Sequence, residues 1–402
     1  MILTPSDLVL PRGHAPRELL AVGGRIVAVD GCHLVLADAL ASVVVALAQV
    51  SEQVAVGALV VVEGCLAPGG HLEGHLLGVW HGDIGGAASE TYRLISQGVG
   101  RRLEAFHRAR LATRDYFDSQ GFLEVRTPTR VRTPGLDANV NAVEASGDWL
   151  VTSPELQMKR LLVGGLPRIY QFAVCSRMEE LGPWHEPEFL LLEWYRAFAD
   201  YSSVMADTEQ IVARVVQTLS DEPVLRMADG RRIDVSPPFE RMTVREAFRR
   251  HADVADAVAL AAHDEPAYFA RLVDRVEPAL ARHDRPVFLT HYPISQAALA
   301  RPCPEDPSVA ERFELYLAGI ELCNGFGELT DPTEQRHRFQ AERRHRRIQG
   351  EPTYRLDRRF LQALEEGMPP SAGNALGFER LVALAAGVQA IADVMAGPTA
   401  WI

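Results

Sequence analysis

Ala310 to Leu329 reads AERFELYLAGIELCNGFGEL and sets three glutamates, Glu314, Glu321 and Glu328, seven residues apart. Charge at that interval ordinarily marks the solvated face of a helix. Here Gly319, Gly325 and Gly327 interrupt the pattern, and Leu315, Leu317, Ile320 and Leu322 suit strands meeting at a turn. Two strands and the loop after them can aim all three carboxylates into one cleft. Carboxylates this dense suit a divalent metal or an ammonium group.

The chain around this hairpin has 402 residues, enough for two or three domains, and its 47% hydrophobic and 23% charged residues are those of an ordinary folded protein. The N-terminus lacks a basic segment followed by a long apolar run, and no stretch reaches membrane-spanning length, so a cytoplasmic protein with no membrane association is expected. Five scattered cysteines without a CxxC pair indicate neither a zinc site nor a disulfide framework. The net charge of -12 argues against a surface covered in nucleic-acid-binding cations.

From Ala21 to Trp80, short apolar runs alternate with Gly and Pro, a spacing that predicts five short strands closing into a small barrel over residues 1–82, like an oligonucleotide-binding (OB) fold. Such folds grip nucleic acid with aromatics and a basic groove. Between Glu18 and Tyr92 the only Lys or Arg is Arg25, and the only aromatic before Tyr92 is Trp80. A structural or protein-binding module is therefore the better reading. A Gly-rich joint, His81 to Ala88, leads to an amphipathic helix with Leu103, Phe106, Tyr116 and Phe117, stopping at Gly121. A strand is expected over FLEVRTPTRV, then a β-rich region to Tyr195, a mostly helical insertion over about 201–284, the strand VFLTHYPI, the glutamate hairpin, a basic helix from Gln335 to Gln349 and an apolar helix after Gly377. Strands with helices grouped between them indicate an α+β domain on an antiparallel sheet, spanning residues 90–402.

Three further segments carry a resemblance: TSPELQMKRLL from Thr152, IYQFAVCSRMEELGPWHEPEFLLLEWY from Ile169 and GNALGFERLVAL from Gly373. With the hairpin, HYPISQAALARPCPEDPSVAERFEL and EEGMPPSAGNALGFER, they resemble the catalytic domain of class II aminoacyl-tRNA synthetases, in the lysine branch. Within that branch the elongation factor P (R)-β-lysine ligases match best, from about Thr91 onward. The resemblance implies ATP and Mg2+ as cofactors, a lysine or β-lysine substrate, elongation factor P rather than tRNA as acyl acceptor, and a homodimer built on Val99 to Val131.

It also implies roles for residues. Activating a carboxylate with ATP needs positive charge at the α-phosphate. Arg177 sits where the family places that arginine; Arg380 would lie over the adenine with Phe189 on its other face, and these two arginines are the catalytic candidates. Glu179 would accept the adenine amino group, His185 would help hold the phosphates, and Glu186, Leu322 and Gly377 complete the expected ATP site. Glu314 and Glu321 match the family's metal positions. Glu328 and Glu155 match the pair around the substrate's side-chain amine, with Ser153, Pro154, Tyr195, Asn324 and Phe326 lining that pocket. Ala375 stands where β-lysine ligases carry Ala and lysyl-tRNA synthetases carry Gly.

The chain departs from the family in two places. The Phe-Arg-Asn-Glu core reads Ser176-Arg177-Met178-Glu179, and Pro183-Trp184-His185-Glu186 replaces a cation with a carboxylate near the expected triphosphate, which should weaken ATP binding. Two alternatives stay open on residues alone: a lysine-tRNA ligase, and a non-catalytic, synthetase-like binding or regulatory protein.

Overall fold

The valine-rich runs of the N-terminal segment form strands because alternate side chains reach a shared interior. The computed structural model describes residues 1–9, 18–49, 54–135, 140–178 and 181–401. It divides into two units, Met1–His107 with Val394–Ala396 and Arg108–Asp393 with Gly397–Ile402. In the first, β1 (Ile2–Leu3), β2 (Leu19–Asp30), β3 (His33–Ala37), β4 (Ser42–Leu47), β5 (Leu59–Leu66) and β6 (Leu72–Trp80) pair in the order β1-β2-β3-β4-β6-β5. Because β5 also pairs with β2, strands β2 to β6 form a closed ring of pairings around Val22, Ile26, Leu34, Val45, Val60 and Val62. Gly64 and Gly74 permit the closest approach: a methyl on either would stand 2.2 Å from a carbonyl oxygen of the facing strand.

Helix α1 (Val99–Ser119) stops where the sequence placed its end, at Gly121, whose φ is +71°. The strand expected over FLEVRTPTRV is reduced to β7 (Leu123–Glu124) and a separate two-residue strand, Arg130–Val131. Pro128 has no N–H to offer a ladder, and the Thr127 N–H donates to the Gln171 side chain at 3.0 Å instead of to a strand. The region expected to be β-rich also contains a helix, α2 (Glu155–Val163).

The second unit is built on an eight-stranded sheet. Its other strands are β8 (Arg168–Ser176), β9 (Glu188–Ala197), β10 (Glu240–Thr243), β11 (Val287–Pro293), β12 (Val309–Leu317), β13 (Ile320–Gly327) and β14 (Ser371–Gly377), arranged β10-β11-β12-β13-β14-β9-β8-β7. The strands from β11 to β8 pair antiparallel and only the two outermost pairings are parallel, so the domain is α+β as expected. Helix α3 (Tyr201–Ser220) begins the mostly helical stretch, α4 (Pro332–Gln349) is the basic helix, and α5 (Phe378–Ala385) follows β14 directly. Among the described residues no helix is long and apolar enough to cross a membrane.

The glutamate segment is the β12–β13 hairpin, turned through Ala318 and Gly319, both at positive φ as a tight two-residue turn requires. Glu321 pairs with Tyr316 and Cys323 with Leu315, leaving Leu322 as an extra residue. That bulge decides the site. Residues 321 and 324 would point to opposite faces of a regular strand, and the inserted residue returns both to the face shared by Arg312, Glu314 and Phe326. The opposite face, with Phe313, Leu315 and Leu317 fully buried, belongs to the core.

Candidate active site

Strand register sets out the floor of the site. One row across the sheet is Glu193, Ala375, Asn324 and Glu314; the next is Tyr195, Gly373, Phe326 and Arg312. Above these rows lies a cavity of about 890 Å³. Its wall includes Ser153, Glu155, Arg177, His185, Glu186, Phe189, Tyr195, Glu314, Glu321, Leu322, Asn324, Phe326, Glu328, Ala375, Gly377 and Arg380. The sequence therefore named residues that converge from β9, β12, β13, β14, α2, α5 and the segment that follows β8. Pro154 is the exception, buried at the N-terminus of α2 and absent from the wall. Glu179 lies outside the described residues.

One end of the cavity is acidic. Glu193 is fully buried, accepts from Ser153 Oγ at 2.5 Å and from Tyr195 Oη at 3.0 Å, and has its carboxyl pushed up to about 8 by burial and then by the charge of Glu155. Glu328, also fully buried, is raised in the same direction by burial, against the pull of Lys159. The sequence reading missed Glu193, although Phe189, Leu191, Glu193 and Tyr195 alternate as one strand face does. It also missed Lys159, which hides in the helical run of ELQMKRLLV.

A carboxyl that stays protonated in the fold but ionises in the unfolded chain withdraws stability as pH rises. The ordinary glutamate value is 4.5 and Glu193 stands at about 8, so its contribution is complete below 4.5 and lost as pH climbs through 8. Chemical denaturation of the unliganded protein is expected to show falling stability between pH 4.5 and 8, by up to about 1.4 kcal/mol per pH unit for each such group. Glu193→Gln should flatten that slope; an unchanged slope would mean Glu193 is ionised in the fold.

The other end is arranged by arginines. The Arg177 guanidinium lies 5.1 Å from the Phe189 ring centre, and its backbone N–H is fixed on Pro187 O at 2.9 Å. Arg380, in the first turn of α5, donates to Trp184 O at 3.1 Å, Glu321 O at 2.8 Å and His185 Nε2 at 2.7 Å. Since a guanidinium only donates, His185 Nε2 must accept and the ring proton sits on Nδ1. The altered loop is thus built into the site: its Trp184 carbonyl orients Arg380, and Glu186 turns to Thr399, accepting from its N–H at 3.0 Å and its hydroxyl at 2.5 Å.

Between the two ends stand Glu314 and Glu321. Glu314 Oε1 accepts from Arg312 at 2.6 Å, while Oε2 accepts from Tyr292 at 2.5 Å and Tyr316 at 2.9 Å. Glu321 has its carboxyl raised by burial and then by Glu314, opposed by Arg380 and Arg312. Two carboxylates this close in a dry site are relieved by a divalent cation. Glu321 suits such a cation directly; Glu314 keeps one acceptor position on Oε1 beside Arg312.

Residues 88–400 match the family model of tRNA synthetases class II (D, K and N). Curated relatives include the elongation factor P–(R)-β-lysine ligase of Hamiltonella defensa, 39% identical over 300 residues, covering 71% of this chain and 91% of the relative. The ligases of the same name from Proteus mirabilis and Edwardsiella ictaluri are 38% and 37% identical, over 71% and 70% of this chain and 91% and 90% of their own lengths.

Proposed function

The chain belongs to the family of class II tRNA synthetases (D, K and N), and on that premise we propose that it is a ligase which activates a lysine-like amino acid, (R)-β-lysine foremost, and transfers it to a lysine of elongation factor P. A carboxylate oxygen of the amino acid attacks the α-phosphorus of ATP, the bond to pyrophosphate breaks, and an aminoacyl-adenylate forms. The amine of the acceptor lysine then attacks the acyl carbon and AMP leaves. One observation carries this reading: a buried acidic end, Glu155, Glu193 and Glu328, shares a cavity with the Arg177, Phe189 and Arg380 end. The first matches ammonium groups and the second a nucleotide triphosphate.

Arg177 holds the α-phosphate against developing charge, Phe189 and Arg380 sandwich the adenine, and His185 contacts the phosphates. Glu321 and Glu314 would hold Mg2+, which would supply positive charge against the phosphates. No side chain has to act as a nucleophile, because orientation and charge supply the catalysis. Ala375, in the row with Glu193 and Asn324, sets the floor that separates β- from α-lysine, a difference worth about 1 to 3 kcal/mol for one methyl.

The N-terminal ring of strands is read as an OB-like barrel that does not serve RNA. Its Arg25 is spent internally on Gly57 O at 2.8 Å and Asp83 O at 3.2 Å, and among its aromatics only Trp80 is on offer, 57% exposed. The enzyme is a homodimer through the segment containing α1, and it works in the cytoplasm. The decisive experiment supplies ATP, labelled (R)-β-lysine or lysine, and either elongation factor P or bulk tRNA. Label on elongation factor P is the expected result; label on tRNA would identify a lysine-tRNA ligase instead, and no pyrophosphate exchange with any diamino acid would leave a non-catalytic homologue.

A further inference from the structure

The acidic end of the cavity already contains an ammonium. Lys159 lies one helical turn beyond Glu155 on α2, is 1% exposed, and places its Nζ against a Glu155 oxygen and 2.5 Å from Glu328 Oε2. The same Nζ stands 4.9 Å from the centre of the Phe326 ring. Lys159 itself is not part of the cavity wall, whereas Glu155, Glu328 and Phe326 are. Burial alone would depress its ammonium, but Glu155 and Glu328 outweigh that and raise it above the ordinary lysine value. The ion is therefore charged and permanent.

Glu328 is not exhausted by it. Glu328 Oε1 is buried with no hydrogen-bond partner among the described residues, and a methyl on Gly373, in the floor row, would stand 2.9 Å from it. An unmatched, fully buried carboxylate oxygen beside the floor of a cavity is a receptor for a donor the protein does not supply. Charge counting gives the kind of donor. With Glu193 protonated, Glu155 and Glu328 against Lys159 leave one negative charge, which suits a single substrate ammonium. Without Lys159 there would be two, and neighbouring carboxylates in a dry site cannot all ionise. At least one would take a proton and lose its hold on a cation.

We infer that Lys159 is a specificity-determining positioning residue, whose buried ammonium favours the charged forms of Glu155 and Glu328 and aims Glu328 so that its unmatched oxygen selects a substrate ammonium. It acts through the carboxylates and does not touch the substrate. The inference rests on the diamino-acid reading above, and it adds that the subsite is a three-part lattice in which a protein ammonium and a substrate ammonium share the same two carboxylates.

Lys159→Met keeps all but one heavy atom of the side chain's length and removes its charge. In pyrophosphate exchange with (R)-β-lysine and with lysine, the variant is expected to raise the amino-acid KM about 30-fold while the ATP KM stays within twofold. The shorter Lys159→Ala should regain activity with propylammonium in the buffer, a rescue that a packing role would not give. Should Lys159→Met fail to fold, the rescued alanine variant carries the test. Equal rises in both KM values, an unchanged amino-acid KM, or no rescue by propylammonium would overturn the inference while leaving the ligase reading intact. Absence of exchange by the unaltered protein would overturn both.

Discussion

Replacing Arg177 with alanine is expected to lower substrate-dependent exchange of pyrophosphate into ATP by about a thousandfold or more. Loss of one preorganised donor at a developing charge typically costs roughly 3 to 4 kcal/mol, and Arg177 is a full cation rather than a neutral donor. Its position is fixed from two sides. The backbone N–H is tied to Pro187 O at 2.9 Å, and the guanidinium rests on Phe189, 5.1 Å from the ring centre. It also lies close enough to Glu321 to lower that carboxyl's pKa. Lysine at 177 keeps a charge but not the planar fork that can stack on Phe189 and bond two phosphate oxygens, so it should recover only a small part of the rate. ATP affinity, measured separately by calorimetry, should fall far less than exchange does, because charge at the α-phosphate grows as the bond to pyrophosphate breaks. Exchange within tenfold of the unaltered protein would remove Arg177 from its assigned role.

What could be read from the residues, and what could not, follows the range of each physical signal. Gly319 marked the hairpin turn because two successive positive-φ positions are a local demand, and Gly121 marked the end of α1 for the same reason. The bulge at Leu322 had no such mark: it is a matter of register between strands, and it alone places Glu321 on the face of Asn324. FLEVRTPTRV looked like a strand by composition, but Pro128 and the Gln171 side chain withdrew it from the ladder. Glu193 carried a readable signal, one carboxylate in an apolar alternation, yet only the neighbouring strand β14 reveals that it faces a cavity. Lys159 was hidden more deeply, since a lysine in a helix is normally solvated and only the convergence of α2 with Glu328 buries it. The altered loop looked harmful as sequence, a carboxylate beside the phosphates; in the fold Glu186 is engaged by Thr399, and the Trp184 carbonyl serves Arg380.

The second large effect separates the glutamates of the hairpin. Glu328→Gln is expected to raise the KM for (R)-β-lysine about a hundredfold, because a charge-assisted bond to a buried ammonium is worth roughly 1.5 to 3 kcal/mol and Lys159 would also lose one of its two counter-ions. The ATP KM should hardly move. Glu321→Gln should do the reverse: Mg2+ dependence shifts to higher concentrations and the ATP KM rises, while the amino-acid KM stays within a few fold. The geometry makes the division sharp, since Glu321 is biased by Glu314, Arg380 and Arg312, and Glu328 by Lys159, Glu155 and Arg301, with no member in common. Sites that share no partner and respond to different ligands should give additive losses in the Glu321→Gln, Glu328→Gln double variant. Titrating each variant with Mg2+ at saturating amino acid, then with amino acid at saturating Mg2+ and ATP, resolves the two. Matching defects in both titrations would mean that the carboxylates of the hairpin act as one acidic cluster, with metal and ammonium competing for the same charge.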